Sequence, residues 1–131
     1  MAHDYGCVVM IDGAQSLSSF KIDVQELDCD FFAISGHKTF GPTGVGAIYI
    51  KEKFFESVKP YQTGGAVINS VDFKEGTTFL NSPYKFEAGT QNIAGVIAFK
   101  EALKYIENIG YETIQSRKKE LLEYLDNELK K

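Results

Sequence analysis

The first third of the chain alternates short apolar runs with polar, glycine-containing breaks, and the last third carries apolar residues at helical spacing. Residues 7–11 ("CVVMI") are apolar and β-branched and end at Asp12-Gly13. That pattern predicts a strand buried on both faces. Residues 31–34 ("FFAI") repeat it, and the intervening "VQELD" (24–28) reads as a turn or short helix. The two strands are therefore expected as parallel neighbours joined by a short crossover. A third run, 44–50 ("GVGAIYI"), is reached through the tight "GPTG" link (41–44). No crossover helix fits in that link, so this strand is expected antiparallel to the second. Residues 52–58 suit one helical turn or two. Residues 59–90 hold no period, and glycine, threonine, asparagine and proline dominate them. An irregular stretch of that length usually serves function or contacts a partner. Two helices follow. In the first, Ile93, Val96, Ile97, Leu103 and Ile106 fall on one side and Gly110 is a stop signal. The second, about 112–129, places Ile114, Leu121, Leu122, Leu125 and Leu129 on one stripe, with Glu120 and Glu123 on the solvated side. Both stripes predict core faces.

With 131 residues, the chain is at most one domain and long enough to build a core. A net charge of −4 offers no basic face to nucleic acid or to an anionic membrane. No apolar run is long enough to span a bilayer and the start does not resemble a signal peptide, so a cytoplasmic location is expected. Cys7 and Cys29 lack CxxC spacing and read as reduced, buried small hydrophobes. His3, Asp4, Asp12 and His37 show no metal-ligand spacing, and no metal is expected. A strand pattern begins after six residues and a charged helix runs to Lys130-Lys131. The expectation is a segment of a larger chain.

Open α/β sheets do their chemistry at the carboxyl edges of parallel strands. The first strand ends on Asp12-Gly13-Ala14-Gln15 and the second on Ser35-Gly36-His37-Lys38. If the strands are adjacent and parallel, a carboxylate, an amide, a hydroxyl, an imidazole and an amine converge. Such a set fits a pyridoxal 5'-phosphate site. The lysine amine forms a Schiff base with the cofactor aldehyde, and the carboxylate keeps the pyridine nitrogen protonated. Hydroxyl and imidazole can grip phosphate oxygens, the amide can reach the ring hydroxyl, and the glycine lets backbone approach the cofactor.

"DGAQS" (12–16), "SGHK" (35–38), "GPTGVGAIYI" (41–50) and "FEAGTQN" (86–92) together resemble the class V aminotransferase group, specifically the group II (SufS-type) cysteine desulfurases. The resemblance runs over essentially the whole chain. It implies part of the large, cofactor-binding domain of a fold-type-I enzyme over 1–110. Residues 111–131 would then be a long helix leading towards a C-terminal domain. It further implies Lys38 as the catalytic Schiff-base lysine, Asp12 on the pyridinium nitrogen and Gln15 on the ring hydroxyl oxygen. Ser35 and His37 would hold the phosphate, and Thr90 would reach the phosphate of the neighbouring subunit of a homodimer. The implied reaction converts L-cysteine to alanine and an enzyme persulfide, with Lys38 moving the Cα proton. The persulfide would pass to a sulfur-acceptor protein of iron–sulfur cluster assembly. The family's catalytic cysteine and substrate arginine match no position here; Cys7, Cys29 and Arg117 do not occupy them.

Other readings stay open. Asp12 can cap the turn that Gly13 opens, His37 can cap a turn at the core edge, and Thr90 can cap the helix that follows. A Ser35–His37 hydrolase lacks the GxSxG elbow. Another class V lyase or aminotransferase, such as a selenocysteine lyase, or a segment without productive cofactor binding, remains the alternative.

Overall fold

A computed structural model describes residues 1–131. Five strands and two long helices follow one another, with short 3-10 turns before β1 and in the β2–β3, β3–β4 and β5–α1 connections: β1 (Met10–Asp12), β2 (Phe31–Ser35), β3 (Gly46–Ile50), β4 (Ile68–Asp72), β5 (Gly76–Phe79), α1 (Ile93–Ile109) and α2 (Tyr111–Leu129). The chain forms two compact units, Met1–Tyr49 with Ala94–Lys131, and Ile50–Ile93.

In the first unit β1 and β2 pair in parallel, with Met10, Ile11 and Asp12 opposite Phe31, Phe32 and Ala33. β3 is the other neighbour of β2. The Gly36 N–H donates to the Val45 carbonyl, and Gly46 lies against the Ile34 carbonyl. Residue numbers rise on one side as they fall on the other, as an antiparallel hairpin requires. The mixed sheet read from the sequence is therefore present. Its core consists of Cys29, Phe32, Phe99, Ala102 and Ile106. At the amino end of β2, Asp30 is fully buried and its carboxylate accepts the Val9 N–H at 2.9 Å and meets His3 Nε2 at 2.8 Å. Those partners make its burial tolerable.

Four expectations change among these elements. The first strand is shorter than 7–11, and Val8 and Met10 are exposed, because β1 is a sheet edge with β2 as its single neighbour. Cys7 is exposed, and only Cys29 is buried. α1 buries Gly95, Phe99, Ala102 and Ile106, whereas Ile93, Val96 and Ile97 face outward. Gly95 and Ala102 bring the helix close, so the small residues and Phe99 define the contact face. α2 buries no residue fully, and Leu121, Leu122, Leu125 and Leu129 are all exposed.

The second unit overturns the irregular reading of 59–90. β4 and β5 form an antiparallel hairpin, with Asp72 paired to Gly76 and Phe73-Lys74-Glu75 as its loop. The Asp72 carboxylate accepts the Lys74 and Glu75 N–H groups at 2.7 and 2.8 Å, and Gly76 takes φ +87°. A three-residue loop closed by a left-handed glycine is a standard hairpin solution. Backbone N–H donation from Glu75 and then Lys74 holds the Asp72 carboxyl below its ordinary range. Val67 is fully buried, and the buried Lys85 amine donates to the Phe55 carbonyl.

Candidate active site

The parallel register decides the site. Because Asp12 lies opposite Ala33, both strands run out at the same edge of the sheet, and the tetrapeptides that follow them leave from that edge. Asp12, exposed, closes a tight turn in which its Oδ1 accepts the Ala14 N–H at 3.0 Å. Gly13 is buried, and a Cβ there would lie 2.0 Å from the Phe32 ring, so the turn exists in this form only with glycine. Gln15 is exposed and its carbonyl accepts the Ser18 hydroxyl at 3.4 Å.

β2 passes directly into the 3-10 turn Gly36–Lys38. Gly36 is buried with its N–H on the Val45 carbonyl at 2.9 Å; a Cβ would lie 2.7 Å from that same oxygen. The fully buried Thr39 ties the turn down by donating its hydroxyl to the Ser35 carbonyl at 2.9 Å. Ser35 Oγ and His37 Nδ1 are 3.1 Å apart. Lys38 is exposed at the end of the turn, and its amine makes no hydrogen bond or ion pair within the chain.

Asp12, Gln15, Ser35, His37 and Lys38 thus belong to one sheet edge of the first unit. Thr90 belongs to the second unit, is exposed, and lies before Asn92, the residue adjacent to the first turn of α1. The N-cap position is therefore that of Asn92, not Thr90. Sequence reasoning missed Thr39 and Phe32, which brace the two turns from beneath. Their signal was present in the motif itself, since Thr39 follows Lys38 directly and Phe32 sits in the apolar run.

The donor set fits pyridoxal phosphate on chemical grounds. One carboxylate suits a ring nitrogen, and a hydroxyl and an imidazole 3.1 Å apart suit one oxyanion. An unpaired amine stands beside them. Buried glycines at Gly13 and Gly36 draw both turns tight against the sheet.

Several known proteins are similar to this chain over most of its length. A cysteine desulfurase of Cronobacter sakazakii is 46% identical over 128 residues, and one of Escherichia coli is 42% identical over 129. Each match takes in 98% of this chain but 32% of the relative, so the chain spans about a third of the length of these proteins. The crystal structure of the Escherichia coli cysteine desulfurase CsdA superposes with a TM-score of 0.92, at 42% identity, over 99% of this chain and 32% of that one. The apo cysteine desulfurase of Thermococcus onnurineus gives 0.91 at 38% identity, over 98% and 32%. A C-DES mutant with glycine covalently linked to its PLP cofactor gives 0.67 at 29% identity, over 81% and 29%. The aminotransferase class-V pattern matches from residue 1 to residue 131, and the chain belongs to that family.

Proposed function

We propose that these residues form the cofactor-anchoring third of a pyridoxal-phosphate-dependent cysteine desulfurase of the group II, SufS-type class, with Lys38 as the lysine that carries the cofactor. The observation that supports this most is the parallel β1–β2 register. It delivers a carboxylate turn and a Ser-Gly-His-Lys turn to one sheet edge, with the lysine amine unpaired.

When bound, pyridoxal phosphate supplies an electron sink that weakens bonds at the substrate α-carbon. The residues of the chain do the rest. Asp12 holds the pyridine nitrogen protonated, which a neutral side chain could not do. Gln15 donates to the ring hydroxyl oxygen. Ser35 and His37 hold the phosphate, and Thr90 reaches the phosphate of the neighbouring subunit in a homodimer. The Lys38 amine takes the Cα proton of L-cysteine and later returns a proton as alanine leaves. A thiolate accepts the sulfur as a persulfide, which a sulfur-acceptor protein of iron–sulfur assembly then receives in the cytoplasm. Neither cysteine of the chain fits the thiolate role: Cys29 is buried, and Cys7 precedes β1, at the amino end of the strand whose carboxyl end carries Asp12. Arg117, paired with Glu120 at 2.6 Å on α2, is not the substrate-carboxylate cation.

The test is to mix the purified chain with pyridoxal phosphate, reduce with borohydride and map the modified peptide. Modification at Lys38 is expected, and a map pointing to a different lysine rejects the assignment. With L-cysteine added, the chain alone is expected to give no alanine above the free-cofactor control. Steady alanine production would show that it needs no further residues.

A further inference from the structure

Three side chains of α2 reach back to the loop that follows the Asp12–Gln15 turn. Tyr111 Oη donates to the Leu17 carbonyl at 3.2 Å, Gln115 Nε2 to the Ser19 carbonyl at 3.4 Å, and Lys118 Nζ to Ser19 Oγ. Positions 111, 115 and 118 lie on one stripe of the helix, which is why all three meet the same short segment. Ser19, their common target, is 7% exposed.

That loop is wound back onto the turn. The Ser16 N–H donates to the Gly13 carbonyl at 2.9 Å, and the Ser18 hydroxyl to the Gln15 carbonyl at 3.4 Å. Ser19 and Phe20 N–H both donate to the Ser16 carbonyl at 2.9 Å. Moving Leu17 or Ser19 therefore strains the hydrogen bonds that end on Gly13 and Gln15. Leu121, Leu122, Leu125 and Leu129 of α2 are exposed, so this polar stripe is a specific link between the helix and the loop.

We propose that Tyr111, Gln115 and Lys118 are positioning residues. They fasten Leu17 and Ser19 to α2 and, through the Ser16 and Ser18 hydrogen bonds, hold the turn that presents Asp12 and Gln15 to the cofactor ring. The cofactor half of this statement rests on the function proposed above; the fastening of the turn does not. None of the three touches the reacting atoms.

The experiment compares the full chain with Lys118→Met, Tyr111→Phe, Ser19→Ala and Lys118→Arg, using Lys119→Met on the exposed side of α2 as control. Amide exchange is read residue by residue without cofactor, with helical circular dichroism confirming the fold. In the first three variants the amides of Ala14, Ser16, Ser19 and Phe20 should exchange about three- to tenfold faster, the effect of one lost hydrogen bond. Lys118→Arg should restore the slow rate, and Lys119→Met should match the parent. The affinity for pyridoxal phosphate, followed by its visible absorption, should fall by a similar factor, with the borohydride map unchanged. Unchanged exchange at Ala14 and Ser16 overturns the proposal. So does faster exchange spread evenly along α2 and β1, which would mean general loosening. Faster exchange with unaltered cofactor affinity overturns the positioning role. A parent chain that is never modified at Lys38 sinks the function proposed above, while the exchange rates still decide the clamp.

Discussion

A methyl group added to Gly13 would meet the Phe32 ring at 2.0 Å, and Phe32 is 1% exposed with nowhere to swing. Gly13→Ala should therefore cost about 1–3 kcal/mol, the usual range for overpacking. A lower urea midpoint at unchanged slope is the expected reading. The same substitution should disturb the Asp12 turn, because Asp12 and Ala14 bracket it. Tyr111 supplies a pH dependence. Its phenol is pushed above the ordinary 10.0, first by burial and then by the Glu107 carboxylate. The folded state thus keeps a proton that the unfolded chain releases, and this contribution, full below pH 10, is lost as pH rises through the folded value. Tyr111→Phe should flatten the fall in denaturation midpoint above pH 10. An identical alkaline slope in both proteins would refute it. At this scale the meeting of Asp12, Gln15, Ser35, His37 and Lys38 at one sheet edge was legible, because each tetrapeptide directly follows an apolar run. The residues beneath them were not, because an apolar run does not say which ring lies under which glycine.

Between elements, the two faces of α1 separate burial from mere hydrophobicity. Phe99 is 8% exposed and Val96 54%. Phe99→Ala should cost about 3–5 kcal/mol and Val96→Ala about 0.5 kcal/mol or less. Comparable losses at both sites would mean that the Val96 face of α1 is covered as well. The helices were legible because their periods are strong; the buried face was not, because Gly95 and Ala102 carry little hydrophobic signal. The β4–β5 hairpin was illegible for a related reason. Every residue of β4 and most of β5 are exposed, so no apolar alternation marks them. Only the Asp72 and Gly76 turn chemistry gave a cue.

For the molecule as a whole, exposed area is the telling quantity. The chain exposes 10014 Å², whereas a folded monomer of 14.6 kDa exposes about 6,900 Å². The difference is about 3,000 Å². Part of it is apolar: Val96, Ile97, Leu122, Leu125 and Leu129 are each more than half exposed. The purified chain should therefore self-associate with rising concentration and bind a hydrophobic dye, and Leu122→Glu with Leu125→Glu should shift it towards monomer. Sedimentation showing one monomeric species throughout, without dye binding, would contradict this.

Local order along the chain was enough to determine the parallel pair, the hairpin to β3, both helices and the polar tetrapeptides, since each depends on neighbours in sequence and on period. Which apolar faces are covered, which glycines are pressed against rings and carbonyls, and how Tyr111, Gln115 and Lys118 come to lie on Leu17 and Ser19 were decided only by the tertiary structure. Those contacts join residues up to 99 positions apart, and nothing in the period of either segment records its partner.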